Sequence, residues 1–69
     1  MLVLMNYNEF KRRLKALGAE IESHRGKGSH MRISLGDRFT FSPDHGRKEV
    51  AKGTFRAICR QLGIDPNTI

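Results

Sequence analysis

The sequence predicts a small α+β domain of order α-β-β-β-α, with a three-stranded antiparallel sheet carrying both helices on one face. Apolar residues recur at helical spacing near both ends of the chain, as Phe10-Leu14-Leu17 and Phe55-Ile58-Cys59-Leu62. Between these stripes the pattern changes to alternation, the mark of half-buried strands. Glycine-containing turns separate the alternating runs. The chain has 69 residues, which allows one domain spanning 1–69, with 1–5 as an unpatterned extension and 65–69 as a tail. A domain this small buries only about 60% of its unfolded surface, so its core must be economical.

Asn6-Tyr7-Asn8-Glu9 reads as a capping box, in which Asn6 caps the helix and Glu9 reaches back to it. The first helix is expected over residues 7–17, with Gly18 as the left-handed residue that ends it. Ala19 to Ser23 alternates and forms the first strand. His24-Arg25-Gly26-Lys27-Gly28 is a basic, glycine-rich turn. From Ser29 to Leu35 the alternation is strict, with Met31, Ile33 and Leu35 on one face and His30, Arg32 and Ser34 on the other. Gly36-Asp37 makes the next turn. In the third strand Phe39 and Phe41 are expected on the apolar face, with Arg38 and Thr40 opposite and Ser42-Pro43 as its end. Residues 43–53 read as a polar loop, and Thr54 as the cap of the second helix. Gly63 ends that helix and Pro66 opposes a restart. Packing both helices on the apolar sheet face would bury every apolar side chain named, leaving the other face polar. The same layout is that of the double-stranded RNA-binding domain.

The net charge is +6, and it is unevenly placed. Residues 1–23 carry four basic and three acidic side chains, whereas residues 24–60 carry nine and three. Such an excess points first to nucleic acid as partner, although solubility alone also produces basic surfaces. Cys59 is the single cysteine, which rules out an intrachain disulfide and suits a reducing compartment. Met1 to Met5 is too short and lacks the basic flank of a signal peptide. Nothing approaches the length of a bilayer span. A cytoplasmic protein with no membrane role is the simplest reading, with Met5 as a second candidate start. Gly28-Ser29-His30-Met31 also spells a common expression-tag scar. A capped helix and a strand precede it, however, and the alternation runs straight out of it, so it is read as native.

The chemistry-bearing residues are His24, His30 and His45. Their spacing fits no standard zinc site, and no cofactor is implied. Histidine side chains take and return protons near neutrality, which suits acid–base catalysis. RNA brings its own nucleophile, the 2′-hydroxyl. A ribonuclease therefore needs a base near that hydroxyl, positive charge at the phosphate and an acid for the leaving oxygen. His30 stands at the start of a strand, on its polar face, directly after the basic glycine turn. Arg25 and Lys27 are placed to hold a phosphate beside it, and glycines at 26 and 28 let backbone approach a ligand closely. Lys48 and Lys52, with Arg47 and Arg56, lie near the start of the second helix, where phosphates are favoured. A solvated basic face explains those four side chains equally well.

At this point the motifs resemble a known family. Gly28-Ser29-His30 opening a strand, Phe41-Ser42-Pro43-Asp44-His45, and Lys52-Gly53-Thr54-Phe55-Arg56-Ala57-Ile58 are together similar to the HicA (YcfA-like) toxins of toxin–antitoxin pairs. The resemblance covers roughly residues 6–64. It implies a double-stranded-RNA-binding-domain-like fold and metal-independent cleavage of mRNA. It also implies a HicB antitoxin that binds the toxin and blocks its active site. The family's catalytic histidine falls on His30. The histidine after the proline falls on His45, whose role is either catalytic or to shape the loop and contact RNA. Two features depart from the pattern: Ser23-His24-Arg25-Gly26-Lys27 adds a third histidine, and Asp44 and Gly46 flank His45. Both leave RNA preference open.

The resulting expectation is an endoribonuclease with His30 as catalytic residue. Arg25, Lys27, Gly28, Ser29, Arg32, His45, Lys48 and Lys52 are its expected RNA contacts. Two rival readings remain: a non-catalytic RNA-binding domain of the same fold, and a protein-interaction domain whose basic face binds an acidic partner. A pure binder has no reason to prefer histidine over lysine or arginine at position 30.

Overall fold

The computed structural model describes residues 5–23 and 30–69. The expected order is observed: α1 (Tyr7–Ala16), β1 (Glu20–Ser23), β2 (His30–Leu35), β3 (Arg38–Pro43) and α2 (Lys52–Leu62). The strands form one antiparallel sheet in the order β1-β2-β3. Helix α1 lies over β1 and α2 over β3. The two helices meet where Phe10 and Phe55 pack with ring centroids 5.4 Å apart. Phe10, Leu14, Met31, Ile33, Val50, Phe55, Ile58, Cys59 and Leu62 form the buried centre between helices and sheet. Burial raises the Cys59 thiol pKa, which keeps it a neutral apolar packing group.

Helix α1 begins as expected, but only half of the capping box forms. The Asn6 side chain accepts from the Glu9 backbone N–H at 2.8 Å. The Glu9 carboxylate does not reach back to Asn6. It turns along the helix to Arg12 and to Arg13, whose Nε donates at 2.8 Å. Two guanidiniums one turn away outcompete a single backbone amide for the carboxylate. The helix ends one residue early. Leu17 becomes the cap and is left exposed rather than extending the stripe, and Gly18 follows with φ of 100°.

Helix α2 starts two residues before the expected cap. Ala51 is the N-cap and makes no side-chain cap hydrogen bond, so Thr54 sits inside the helix rather than capping it. The reason lies upstream. Val50 is buried and donates to the Met5 carbonyl at 2.9 Å, and Asn6 bridges to Glu49. These contacts fix the chain at 49–50, and the helix begins at once, with Phe55 N–H bonded to the Ala51 carbonyl. Residues 43–53 are thus not one polar loop: Pro43 belongs to β3, Val50 to the core and Lys52 to α2. Gly63 ends α2 in the left-handed region, as expected. Beyond it, Pro66 starts a 3₁₀ turn capped by Asp65 instead of forbidding a restart, and Ile69 packs against the core. A proline at the first helical position surrenders only an amide that would be unpaired anyway.

The main departure is the facing of β3. Hydropathy places Phe39 and Phe41 inside; they are instead 50% and 57% exposed, whereas Thr40 and Ser42 are 8% and 1% exposed. The hairpin register causes this. The two-residue turn at Gly36-Asp37 pairs Leu35 with Arg38, which places Thr40 opposite Ile33 and Ser42 opposite Met31. Directly paired residues project from the same sheet face, so Thr40 and Ser42 must share the face of Ile33 and Met31. Gly36 supplies the positive φ (64°) that such a tight turn needs. The buried hydroxyls remain satisfied. Thr40 Oγ1 donates to the Phe41 carbonyl at 3.4 Å, and Ser42 Oγ to that of Pro43 at 2.9 Å.

Candidate active site

His30 opens β2 and is exposed on the sheet face that points away from both helices. Alternation along β2 puts Arg32 and Ser34 on the same face, while Met31 and Ile33 anchor the strand beneath. Across the ladder His30 stands opposite Pro43, Arg32 opposite Phe41, and Ser34 opposite Phe39. On the other side Glu22 pairs with Arg32 and Glu20 with Ser34. The outer face therefore presents carboxylates along β1, His30 and Arg32 along the centre, and two phenyl rings along β3.

Arg32 chooses between those neighbours. Its guanidinium carbon lies 4.7 Å from the centroid of the Phe39 ring, a cation–π contact. Among the described residues it forms no ion pair with Glu22, and its buried Nε has no hydrogen-bond partner. Phe39 and Phe41 stand edge to face, with centroids 5.8 Å apart and planes at 85°.

His45 lies two residues beyond Pro43, so β3 delivers it to the same end of the sheet as His30. Its segment is tied to the start of α1. Tyr7 N–H donates to the Lys48 carbonyl and Asn8 N–H to that of Gly46, both at 3.0 Å. Lys11 closes on Asp44 at 3.0 Å. The His45 ring stands edge-on to buried Tyr7, with centroids 5.4 Å apart. Topology thus brings His30 and His45 to one end of the sheet, while the His45 ring rests against the helix layer.

The other expected contacts separate into groups. Arg25, Lys27, Gly28 and Ser29, together with His24 and Gly26, lie outside the described residues, as do residues 1–4. Lys48 is in the segment fastened to α1, and Lys52 is the first residue of α2. Neither is on the sheet face that carries His30. Lys52, Arg56 and Arg60 instead recur at four-residue spacing along α2, all exposed. Among the described residues none of them takes part in an ion pair. No group of three or more His, Cys, Asp or Glu side chains among the described residues is placed to hold a metal ion.

Hydropathy missed Phe39 and Phe41 as surface residues. The length of the Gly36-Asp37 turn was the signal that finds them, because it fixes the facing of β3 independently of side-chain type.

A family model for the HicA toxin of bacterial toxin–antitoxin pairs matches residues 7–64. The chain belongs to the HicA toxin family. A Pseudomonas fluorescens (strain Pf0-1) relative named "Probable mRNA interferase HicA" is 48% identical over 60 residues, covering 87% of this chain and 97% of the relative. "Probable mRNA interferase HicA 2" of Photorhabdus laumondii subsp. laumondii is 35% identical over 60 residues, covering 87% and 98%. No solved structure gives a significant match. The HicA match spans α1 through α2, and so includes His30, His45 and the outer sheet face.

Proposed function

We propose that this HicA toxin is an mRNA interferase, an endoribonuclease that cleaves mRNA by metal-independent acid–base catalysis at His30. The observation that carries the residue assignment is the exposed position of His30 at the start of β2, beside Arg32 on a face that the helices leave open. The family and its interferase-named relatives support the activity.

In the reaction, a base takes the proton of the RNA 2′-hydroxyl, whose oxygen attacks the adjacent phosphorus. The bond to the 5′-oxygen breaks, and an acid returns a proton to that oxygen, leaving a 2′,3′-cyclic phosphate. His30 fills one proton-transfer role; His45 reaches the same sheet end with its ring against Tyr7, and has to turn from the helix layer toward the outer face to fill the other. Arg32 neutralises phosphate beside His30; Arg25 and Lys27, close in sequence, add positive charge, and Gly28 and Ser29 are further RNA contacts. Lys48 and Lys52 hold the strand farther from the reacting bond. A HicB-like antitoxin is the expected inhibitory partner, covering the face that carries His30. A cytoplasmic site of action follows from mRNA as the substrate; among the described residues no helix is long and apolar enough to cross a membrane.

Expression of the wild-type chain should arrest growth, and His30→Ala should relieve the arrest while the purified variant melts as wild type does. Cleavage of RNA should persist in chelator. Arrest by His30→Ala equal to wild type would remove His30 from the chemistry. Cleavage lost in chelator and restored by a divalent ion would replace the metal-free scheme.

A further inference from the structure

Phe39 and Phe41 are used by neither the core nor the proton-transfer chemistry. The fold exposes both in a chain with little apolar surface to spare. We infer that Phe39 and Phe41, with the Arg32 guanidinium, form a stacking platform for the unpaired bases of RNA flanking the phosphate at His30. This rests on the reading of that face as the RNA site and names how it grips its substrate.

Four observations point to bases. The rings share the outer face with His30: Phe41 pairs with Arg32, two residues along β2 from His30, and Phe39 with Ser34, four residues along. Arg32 lies over Phe39 at 4.7 Å, giving a cationic plane beside two aromatic ones. Aromatic rings and guanidinium planes are the groups on which bases of single-stranded nucleic acid stack. The phenyl planes stand at 85° to each other, which suits splayed, separately held bases better than one continuous apolar surface. Finally, charge sets the path. Glu20 and Glu22 line the β1 side of the face and repel phosphate. The strand is thereby directed over β2 and β3, where the rings are.

The platform also defines the substrate. In an A-form duplex the bases are stacked on one another and are not available to side-chain rings. An unpaired segment exposes them. The antitoxin proposed to cover this face would meet the same rings, but two phenyl rings are a small part of the roughly 800 Å² per partner that a standard interface buries, so its docking does not require them.

The chain contains no tryptophan, so Phe41→Trp creates a single fluorescent reporter on the platform. The measurement uses the full chain in a His30→Ala background, so that binding is read without cleavage. The probes are a ten-residue oligouridine and an abasic ribose-phosphate strand of equal length and charge. Oligouridine should quench the indole fluorescence of the Phe41→Trp variant, and the abasic strand should not. In the same background Phe39→Ala and Phe41→Ala should each weaken oligouridine binding about tenfold. Phe41→Leu should fail to restore it, and Phe41→Tyr should.

Oligouridine affinity unchanged in Phe39→Ala/Phe41→Ala overturns the inference and leaves the rings to protein docking. So does equal quenching by both strands, or full binding by Phe41→Leu, should the double variant not fold. Because the binding assay never uses the chemical step, a wild-type chain that does not cleave RNA would sink the ribonuclease reading while leaving the stacking result to stand or fall by itself.

Discussion

Strand β2 turns Met31 and Ile33 inward and His30 and Arg32 outward, whereas β3, paired with it from end to end, turns Thr40 and Ser42 inward and Phe39 and Phe41 outward. The first strand follows hydropathy and the second opposes it. Each phenyl left outside forgoes part of the roughly 1.5–3 kcal/mol that full burial of such a side chain contributes. In a domain of 69 residues that is a substantial fraction of net stability. The difference teaches that a two-residue turn fixes facing more firmly than side-chain preference does, and that the aromatic character of β3 serves the surface.

Truncating the two strands should therefore give unequal results. Ile33→Ala should cost about 2–5 kcal/mol in denaturant unfolding, because it opens a cavity under the helices. Phe39→Ala or Phe41→Ala should cost no more than about 1.5 kcal/mol, the scale of an aromatic pair contact. Equal losses on both strands would mean that the rings are structural after all. Next in size is the start of α1: Asn6→Ala should lose about 1 kcal/mol through the missing cap, read as a lower melting temperature.

Smaller still are the inward hydroxyls. Thr40→Val and Ser42→Ala should change stability by no more than about 1 kcal/mol, since each hydroxyl bonds only a neighbouring carbonyl of its own strand. A loss well above that would assign them a role in holding the register. The smallest effect concerns the surface of α1. The hydrogen bond from Arg13, with Arg12 adding to it, holds the Glu9 pKa below its ordinary value. A depressed carboxyl pKa stabilises the folded state above the unfolded-state pKa, and the contribution is lost as pH falls through the folded-state value. Acid melts of Glu9→Gln and wild type should converge at low pH and differ slightly at neutral pH.

The order of elements was legible because periodicity switches cleanly from helix to strand and back, and because Gly18 and Gly63 mark helix ends by their backbone freedom. His30 was legible because the alternation of β2 has Met31, Ile33 and Leu35 to set its phase. In β3 the same reasoning failed. Hydropathy assigned the phase, although the Gly36-Asp37 turn had already decided it through the pairing of Leu35 with Arg38. The start of α2 was hidden for another reason. It depends on Val50 and Glu49 meeting Met5 and Asn6 across the fold, a contact distant in sequence. Lys48 and Lys52 were expected to contact RNA from their charge and their place near the start of α2, and neither property says whether they share the sheet face of His30.

The most direct test of a catalytic histidine on the open sheet face is the single-turnover rate of RNA cleavage, in chelator, by wild type and by His30→Ala. Removing one positioned acid or base should slow the reaction by about 10²–10⁴-fold, with the melting temperature near that of wild type. A variant that cleaves at the wild-type rate would place the chemistry elsewhere in the molecule and contradict the assignment.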